Sequence, residues 1–292
     1  MRNVANFILL SGVIVSCSSP EIEFYQDFDG LAAGTVLTEN QIRDVFSMKS
    51  TAHVTNNGVP GVMVVADPAN SGRDKVFQLS FLEGSVQKNG GGGAQWVTRI
   101  TAADEYYFAY DMYVPADFNW PLSSKLPGLF GGDISKASAS NVPDGITAFA
   151  LRQGVVSERK EGDTTGWSNI GDGNLGANPH TFGNIGHARY NYALVNTRDE
   201  NSARLIPGYW ARIEQHVRLN DPGIKNGVYE AWLDGVKVFS ASNYEYRTVD
   251  SLKIDGISFV WFYGGSGDSF AAREDQAYYF DNFVVSTQPI SH

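Results

Sequence analysis

The stretch WARIEQHVRL, residues 210–219, together with VYEAWLDGVKVF, residues 228–239, decides the fold. Both runs alternate apolar and polar residues instead of spacing them at helical intervals. Successive side chains of a strand point to opposite faces of a sheet. Ile213, Val217 and Leu219 therefore share a core face, which turns Trp210, Arg212, Glu214, His216 and Arg218 the other way, and the second run adds Glu230 and Trp232 to that polar face. The same pattern recurs in EYYFAYDMYV (105–114), GITAFALRQ (145–153), RYNYALV (189–195), IDGISFVWFY (254–263) and AYYFDNFVVS (277–286), each bounded by Gly, Asn, Asp or Pro. Only residues 38–47 read as an amphipathic helix. Seven strands in one series need two stacked sheets, so the expectation is an all-β two-sheet sandwich, a single domain over residues 23–287. The opening EFYQDFDG and the closing YYFDNFVVS are expected to pair as neighbours, and QKNGGGGAQ (87–95) to form a loop without the Lys-Ser/Thr of a phosphate loop.

Composition narrows the function. In 292 residues, 42% hydrophobic and 13% aromatic, there is ample material for a core, which excludes intrinsic disorder. A formal charge of −10 excludes general affinity for nucleic acid or an anionic membrane face. One cysteine, Cys17, excludes a disulfide framework and a thiolate-rich metal site. It closes a short apolar run, Phe7 to Val15 behind Arg2, that is too short to span a bilayer and is shaped like a signal-peptide core. Ile14-Val15-Ser16-Cys17 resembles a bacterial lipobox. That resemblance implies a signal peptide over 1–16, a lipid on Cys17, a tether over 17–22, and membrane attachment through the lipid only. Ser18 and Ser19, with no Asp after the cysteine, favour the outer membrane of a cell envelope.

The acidic surplus is uneven. Residues 125–218 hold 10 Lys and Arg against 9 Asp and Glu, whereas the rest of the chain holds 12 against 23. An anion is therefore expected in the middle. There Arg152 shares a strand face with Ala148 and Ala150, while Tyr190 and Tyr192 align about 7 Å apart beside Arg189. Aromatic faces stack on sugar rings and guanidinium forks bind carboxylates. An acidic polysaccharide would thus suit a groove of Arg189, Trp210, Arg212, Glu214, His216 and Trp232. Each residue also has a plain structural reading. Tyr pairs on strands pack half-buried, Arg and His occupy solvated sheet faces, Trp210 and Trp232 can wall a core, and Glu214 can pair with Arg212 or Arg218 for about 0–1 kcal/mol.

Lys125-Leu126-Pro127-Gly128-Leu129-Phe130-Gly131-Gly132 resembles the KLPGL-(Tyr/Phe)-GG segment of polysaccharide lyase family 14, the jelly-roll alginate and polyuronate lyases. The chain continues in similar order with an Arg-bearing strand, Tyr190-Asn191-Tyr192, a strand carrying Ile213-Glu214-Gln215, a Trp232-Leu233-Asp234-Gly235 hairpin and Phe262-Tyr263-Gly264-Gly265, so the resemblance spans roughly residues 104–286. Ala150 stands where some members carry Ser, and the interval from Lys125 to Arg152 and the loop 154–188 are expanded. The family implies β-elimination on a uronate polymer of alginate or glucuronan type.

The chemistry fits. Removing the proton beside a carboxylate creates a dianionic, enolate-like state that positive groups must neutralise, and Lys125 and Arg152 are the candidates. A phenol near pKa 10 becomes a usable base only beside cations, which Lys125, Arg152 and Arg189 could supply to Tyr190 or Tyr192. His187 or His180 is the alternative base. No cofactor is required; a structural Ca²⁺ near Asp29 and Asp281 is conceivable from oxygen-rich turns. Two rival readings remain: a noncatalytic carbohydrate-binding module on the same fold, and a retaining glycoside hydrolase, which needs two carboxylates about 5 Å apart and whose Glu-x-Asp-x-x-Glu pattern is absent.

Overall fold

The computed structural model describes residues 21–46, 55–56, 59–86, 92–121, 123–138, 140–155, 173–185, 188–189, 203–264 and 267–290. In chain order the strands are β1 (Ile22–Gln26), β2 (Thr55–Asn56), β3 (Val59–Pro60), β4 (Val62–Ala66), β5 (Lys75–Phe81), β6 (Gly93–Ala103), β7 (Glu105–Tyr113), β8 (Ser124–Gly132) and β9 (Ala148–Val155). They continue with β10 (Leu175–Thr181), β11 (Asn184–Ile185), β12 (Ala188–Arg189), β13 (Trp210–Arg218), β14 (Gly227–Leu233), β15 (Val236–Tyr244), β16 (Ile254–Tyr263) and β17 (Gln276–Ser286). An α-helix, α1, spans Glu39–Phe46.

Two antiparallel sheets carry the fold. The eight-stranded sheet runs β15-β14-β13-β7-β17-β5-β4, with β1 added on β17; the seven-stranded sheet runs β11-β10-β9-β8-β16-β6, with β12 on β10. Their inner faces enclose one aromatic core. Phe46, the last residue of α1, packs with Phe28 and Phe77 from one side and Trp96 and Phe259 from the other, at centroid distances of 4.9 to 5.9 Å. The helix is held at its start by a reciprocal cap in which Thr38 N–H donates to Gln41 Oε1 at 3.0 Å and Gln41 N–H donates to Thr38 Oγ1 at 3.4 Å. Its buried face, Ile42 and Phe46, thereby plugs the sandwich. Truncating a core phenylalanine of this kind costs about 3–5 kcal/mol.

Ile213, Val217 and Leu219 are buried in the core as alternation requires, and the chain ends pair through Phe24↔Val285 and Tyr25↔Val284. Two expectations change, and one strand is added. The run 228–239 is two strands folded back at Asp234 and Gly235, whose φ values of 49° and 76° make the tight turn that suits right-twisted hairpins. Gly93 to Gln95 begin β6 instead of closing a loop; residues 87–91 lie outside the described residues. The KLPG segment is itself a central strand, β8, between β16 and β9. The sequence reading gives this segment no strand, and a Cβ on Gly128 would sit 1.9 Å from the Leu151 carbonyl oxygen, so close strand approach is what demands glycine there. The expected strand 189–195 reaches the described residues only at β12, and Cys17 with the rest of residues 1–20 lies outside them.

Candidate active site

The outer face of the seven-stranded sheet gathers residues far apart in sequence. Asn178 is the Cα partner of Arg152, Arg152 of Gly128, and Gly128 of Ser258, which forms one row across four strands. The next row holds His180, Ala150, Phe130 and Gly256. Lys125 is opposite Phe262, with its ammonium 5.4 Å from the ring centroid. Alternation in β8 shifts at an irregularity between Leu126 and Gly128. Leu126 and Leu129, three apart, can therefore both enter the core while Phe130 joins a separate outer cluster with Ala148 and Ala150.

Arg152 is 4% exposed. Its Nη2 donates to the Ala137 carbonyl at 2.9 Å, and its Nε has no partner among the described residues. Burial pushes its guanidinium down to about 10. Burial first, and the Arg152 charge second, push the Lys125 ammonium down to about 8. Among the described residues neither cation has a carboxylate within salt-bridge distance. Two neighbouring, desolvated cations without a counter-anion mark a site organised for one.

Beneath them lies a residue to which sequence reasoning gave no role. Gln215 projects from β13 of the opposite sheet, fully buried. Its Oε1 accepts from Leu129 N–H at 2.7 Å and its Nε2 donates to the Leu151 carbonyl at 3.2 Å, so one side chain ties both strands that carry Lys125 and Arg152. Tyr110 adds a second link, donating to Gln153 Oε1 at 3.1 Å. Its sequence signals are a glutamine in the core parity of β13 and its place in the family-like run Ile213-Glu214-Gln215.

Trp210, Arg212, Glu214, His216 and Trp232 do not join this site. Alternation assigned them correctly to one face, but that face is the outside of the eight-stranded sheet, with the core of the sandwich, about 10 Å between sheets, separating them from Lys125 and Arg152. The single groove expected from the sequence is therefore corrected to two faces. On this one Arg73, Arg212, His216 and Lys237 each meet a carboxylate. Arg212 Nη1 donates to Asp111 Oδ1 at 2.9 Å, and Arg73 bridges Asp111 and Asp281 at 2.8 and 2.6 Å while lying 4.3 Å from the Trp210 ring. Trp210 Nε1 donates to Asp67 at 3.1 Å. His216 meets Glu105 and Glu230 at 2.7 and 2.9 Å and stacks on Tyr107 with centroids 4.2 Å apart. Lys237 pairs with Glu230 and covers the Trp232 ring. Glu214 is 2% exposed, and burial raises its carboxyl to about 7 against the Ile290 N–H and Arg212.

His180 lies on β10 opposite Ala150, on the face of Arg152, and is buried. The backbone of Arg189 pairs with Gly176; His187, Tyr190 and Tyr192 lie outside the described residues. Asp281, expected near a Ca²⁺, is engaged by Arg73, with burial raising its carboxyl to about 6. Among the described residues no group of three His, Cys, Asp or Glu could hold a metal ion.

A jelly-roll sandwich with a cationic cleft on one sheet is a scaffold for acidic glycans. The sequence profile of the polysaccharide lyase 14 family matches residues 69–283, and the chain belongs to that family. Among solved structures, the marine alginate lyase of that family from Aplysia kurodai superposes with a TM-score of 0.70 at 19% identity, covering 92% of this chain and 100% of its own. The alginate lyase Aly36B in complex with an alginate tetrasaccharide gives 0.66 at 16%, covering 92% and 98%. An endo-β-1,4-glucuronan lyase from the fungus Trichoderma reesei gives 0.51 at 11%, covering 92% and 96%. None of the curated proteins matches the chain in sequence.

Proposed function

We propose that this polysaccharide lyase cleaves a 4-linked uronate polymer of alginate or glucuronan type by β-elimination on the outer face of the seven-stranded sheet. The pair of desolvated cations, half-buried Lys125 and buried Arg152, without a carboxylate among the described residues, carries the reading. The uronate carboxylate sits between them. A base then removes the proton from the adjacent ring carbon, the C–H electron pair forms the new double bond, and the glycosidic C–O bond breaks with its electrons on the leaving oxygen, which takes up a proton. The positive pair stabilises the charge that develops on the carboxylate before that bond breaks. Tyr190 or Tyr192 is the proposed proton carrier with Arg189 close by in sequence; His180, on the same sheet face as Arg152, is the alternative within the described residues, and His187 the alternative outside them. Two of the superposing structures are alginate lyases and one a glucuronan lyase, which supports the polymer class.

The rival hydrolase reading needs two carboxylates about 5 Å apart at the cleaved bond, the opposite electrostatics from those around Arg152. Incubating the full chain with polymannuronate, polyguluronate and polyglucuronate, and following the ultraviolet absorbance of the unsaturated product, tests the assignment. Reducing ends released without that chromophore would replace lyase by hydrolase, and binding without cleavage would leave a carbohydrate-binding module. The proposal extends to location: lipid on Cys17 would hold the domain at the outer membrane, and Cys17→Ser should release it into the soluble fraction.

A further inference from the structure

The connection from β8 to β9 folds back onto the sheet it leaves. Gly132 ends β8 at a φ of 73°, and the chain then forms a 3₁₀ turn, Ile134–Ala137, against β9. Ala137 is fully buried on the outer cluster of Phe130, Ala148 and Ala150, with Ile134 packed beside it. A helical turn leaves its last carbonyls without partners inside the turn. Here Arg152 Nη2 donates to one of them, the Ala137 carbonyl, at 2.9 Å.

The chemistry of that anchor matters. A carboxylate in its place would fix the guanidinium and also cancel its charge. A carbonyl fixes it and leaves the charge for an arriving anion. The place of the guanidinium therefore depends on where the turn puts one oxygen, and a four-residue turn with 3₁₀ hydrogen-bond geometry is weak by itself. Side chains supply what the turn lacks. Asp133 Oδ1 accepts from Ser135 N–H at 3.0 Å and from Ser135 Oγ at 2.8 Å, while Asp133 N–H donates to the Thr147 carbonyl at 3.0 Å and ties the start of the turn to the approach to β9. Beyond it the Ser135 carbonyl accepts from Ser138 Oγ at 3.1 Å and Asn141 Nδ2 at 2.9 Å. Ser135 is held on both sides, and Asp133 is the cap from which the series starts.

We propose that Asp133 is a positioning residue for the elimination, acting through Ser135 and the Ala137 carbonyl to hold the Arg152 guanidinium in place. The inference deepens the proposed function and rests on it. Stabilising a developing charge depends on the placement of the stabilising group, so a shift of the turn reaches the reaction although Asp133 is itself exposed. The sequence reading gave Asp133 no role, because an Asp after two glycines reads as a turn residue.

The test uses the full chain and steady-state kinetics on a polyuronate. Asp133→Ala should lower kcat about five- to twentyfold with KM within about twofold. Asp133→Asn, which keeps an Oδ1 acceptor for Ser135, should bring kcat back to within about threefold of wild type. Added to Arg152→Ala, Asp133→Ala should change kcat by less than about twofold, because the group it positions is gone. Asp67→Ala removes a cap of the same kind beside the opposite sheet, where Oδ1 accepts from Ala69 N–H at 2.9 Å and Oδ2 from Ser71 N–H at 2.6 Å. It should lower the melting temperature at least as much as Asp133→Ala yet leave kcat within about twofold. Unchanged kcat in Asp133→Ala, no recovery in Asp133→Asn, equal losses with and without Arg152, or the same kcat loss in Asp67→Ala would each overturn the assignment. If wild type cleaves no polyuronate, the lyase reading falls and the same set of variants is read as polymer affinity by calorimetry. A loss in Asp133→Ala that vanishes without Arg152 then keeps the positioning role, and any other pattern overturns it.

Discussion

The two outer faces of this sandwich use the same residue types to opposite ends. On the eight-stranded sheet, Arg73, Arg212, His216 and Lys237 each meet a carboxylate at hydrogen-bond distance. On the seven-stranded sheet, half-buried Lys125 and buried Arg152 are neighbours, each pushed toward its neutral form, with no carboxylate beside them among the described residues. A compensated network is part of the structure's stability. An uncompensated pair is a site awaiting a charge, because only an arriving anion can recover the desolvation already incurred. The difference lies in the charge balance around each group rather than in which residues are present.

The comparison breaks most sharply at the proton carrier. Tyr190→Phe or Tyr192→Phe keeps ring and packing and removes the hydroxyl; loss of a general acid or base should lower turnover about 10²–10⁴-fold with polymer binding retained. If both variants stay active, His180→Ala is expected to show that loss instead, and steady-state kinetics on one polyuronate decide between them.

Arg152→Ala and Lys125→Ala should lower kcat about 10²–10³-fold, the usual effect of removing a group that stabilises developing charge. Arg212→Ala on the other face provides the contrast. It breaks the Asp111 contact and should reduce stability by about 1–3 kcal/mol with kcat within about twofold. Equal kinetic damage from both faces would erase the distinction drawn above.

Gln215→Met removes the tie under both active strands while keeping side-chain length. Turnover should drop about tenfold, with less change in KM, and melting should fall by the loss of about one to two buried hydrogen bonds. Tyr110→Phe, which loses the neighbouring link to Gln153, serves as a stability-matched control; equal kcat losses in the two would assign Gln215 to stability alone.

The smallest effect is in pH. Lys125 titrates near 8 when folded, against about 10.4 in an unfolded chain. Between those values the unfolded state holds the proton and the folded state does not, so stability should rise with pH across that window. Activity should fall across the same window as the ammonium is lost. Opposite slopes in denaturant midpoint and kcat/KM are the signature, and Arg152→Ala, by removing a neighbouring positive charge, should move both limbs to higher pH.

Much of this was legible before the fold was known. Alternation placed Ile213 and Val217 inward and Arg212 and His216 outward on the same strand, and the KLPGLFGG segment, with the family-like order that follows it, pointed to the family. Both are local signals, set by the two-residue period of a strand and by an eight-residue run. The helix α1 was found within a residue at each end for the same reason. The sequence reading assigns no strand to β8, because Pro127 and the three glycines Gly128, Gly131 and Gly132 break a strand's apolar alternation until β9 is seen lying against it.

The sequence by itself determined that the chain is a two-sheet sandwich of the lyase family, and which residues share a face of each strand. Only the tertiary structure decided which side of the sandwich each face occupies, separating the Arg212 and His216 network from the Arg152 cleft, and which residues meet across strands. Arg152, Gly128 and Ser258 form one row because β8 pairs on one side with β9, 24 residues on, and on the other with β16, 130 residues on. Register of that kind depends on bulges, on close glycine contacts and on Gln215 reaching from the opposite sheet, all of them interactions between distant segments that a strand's own two-residue period cannot encode.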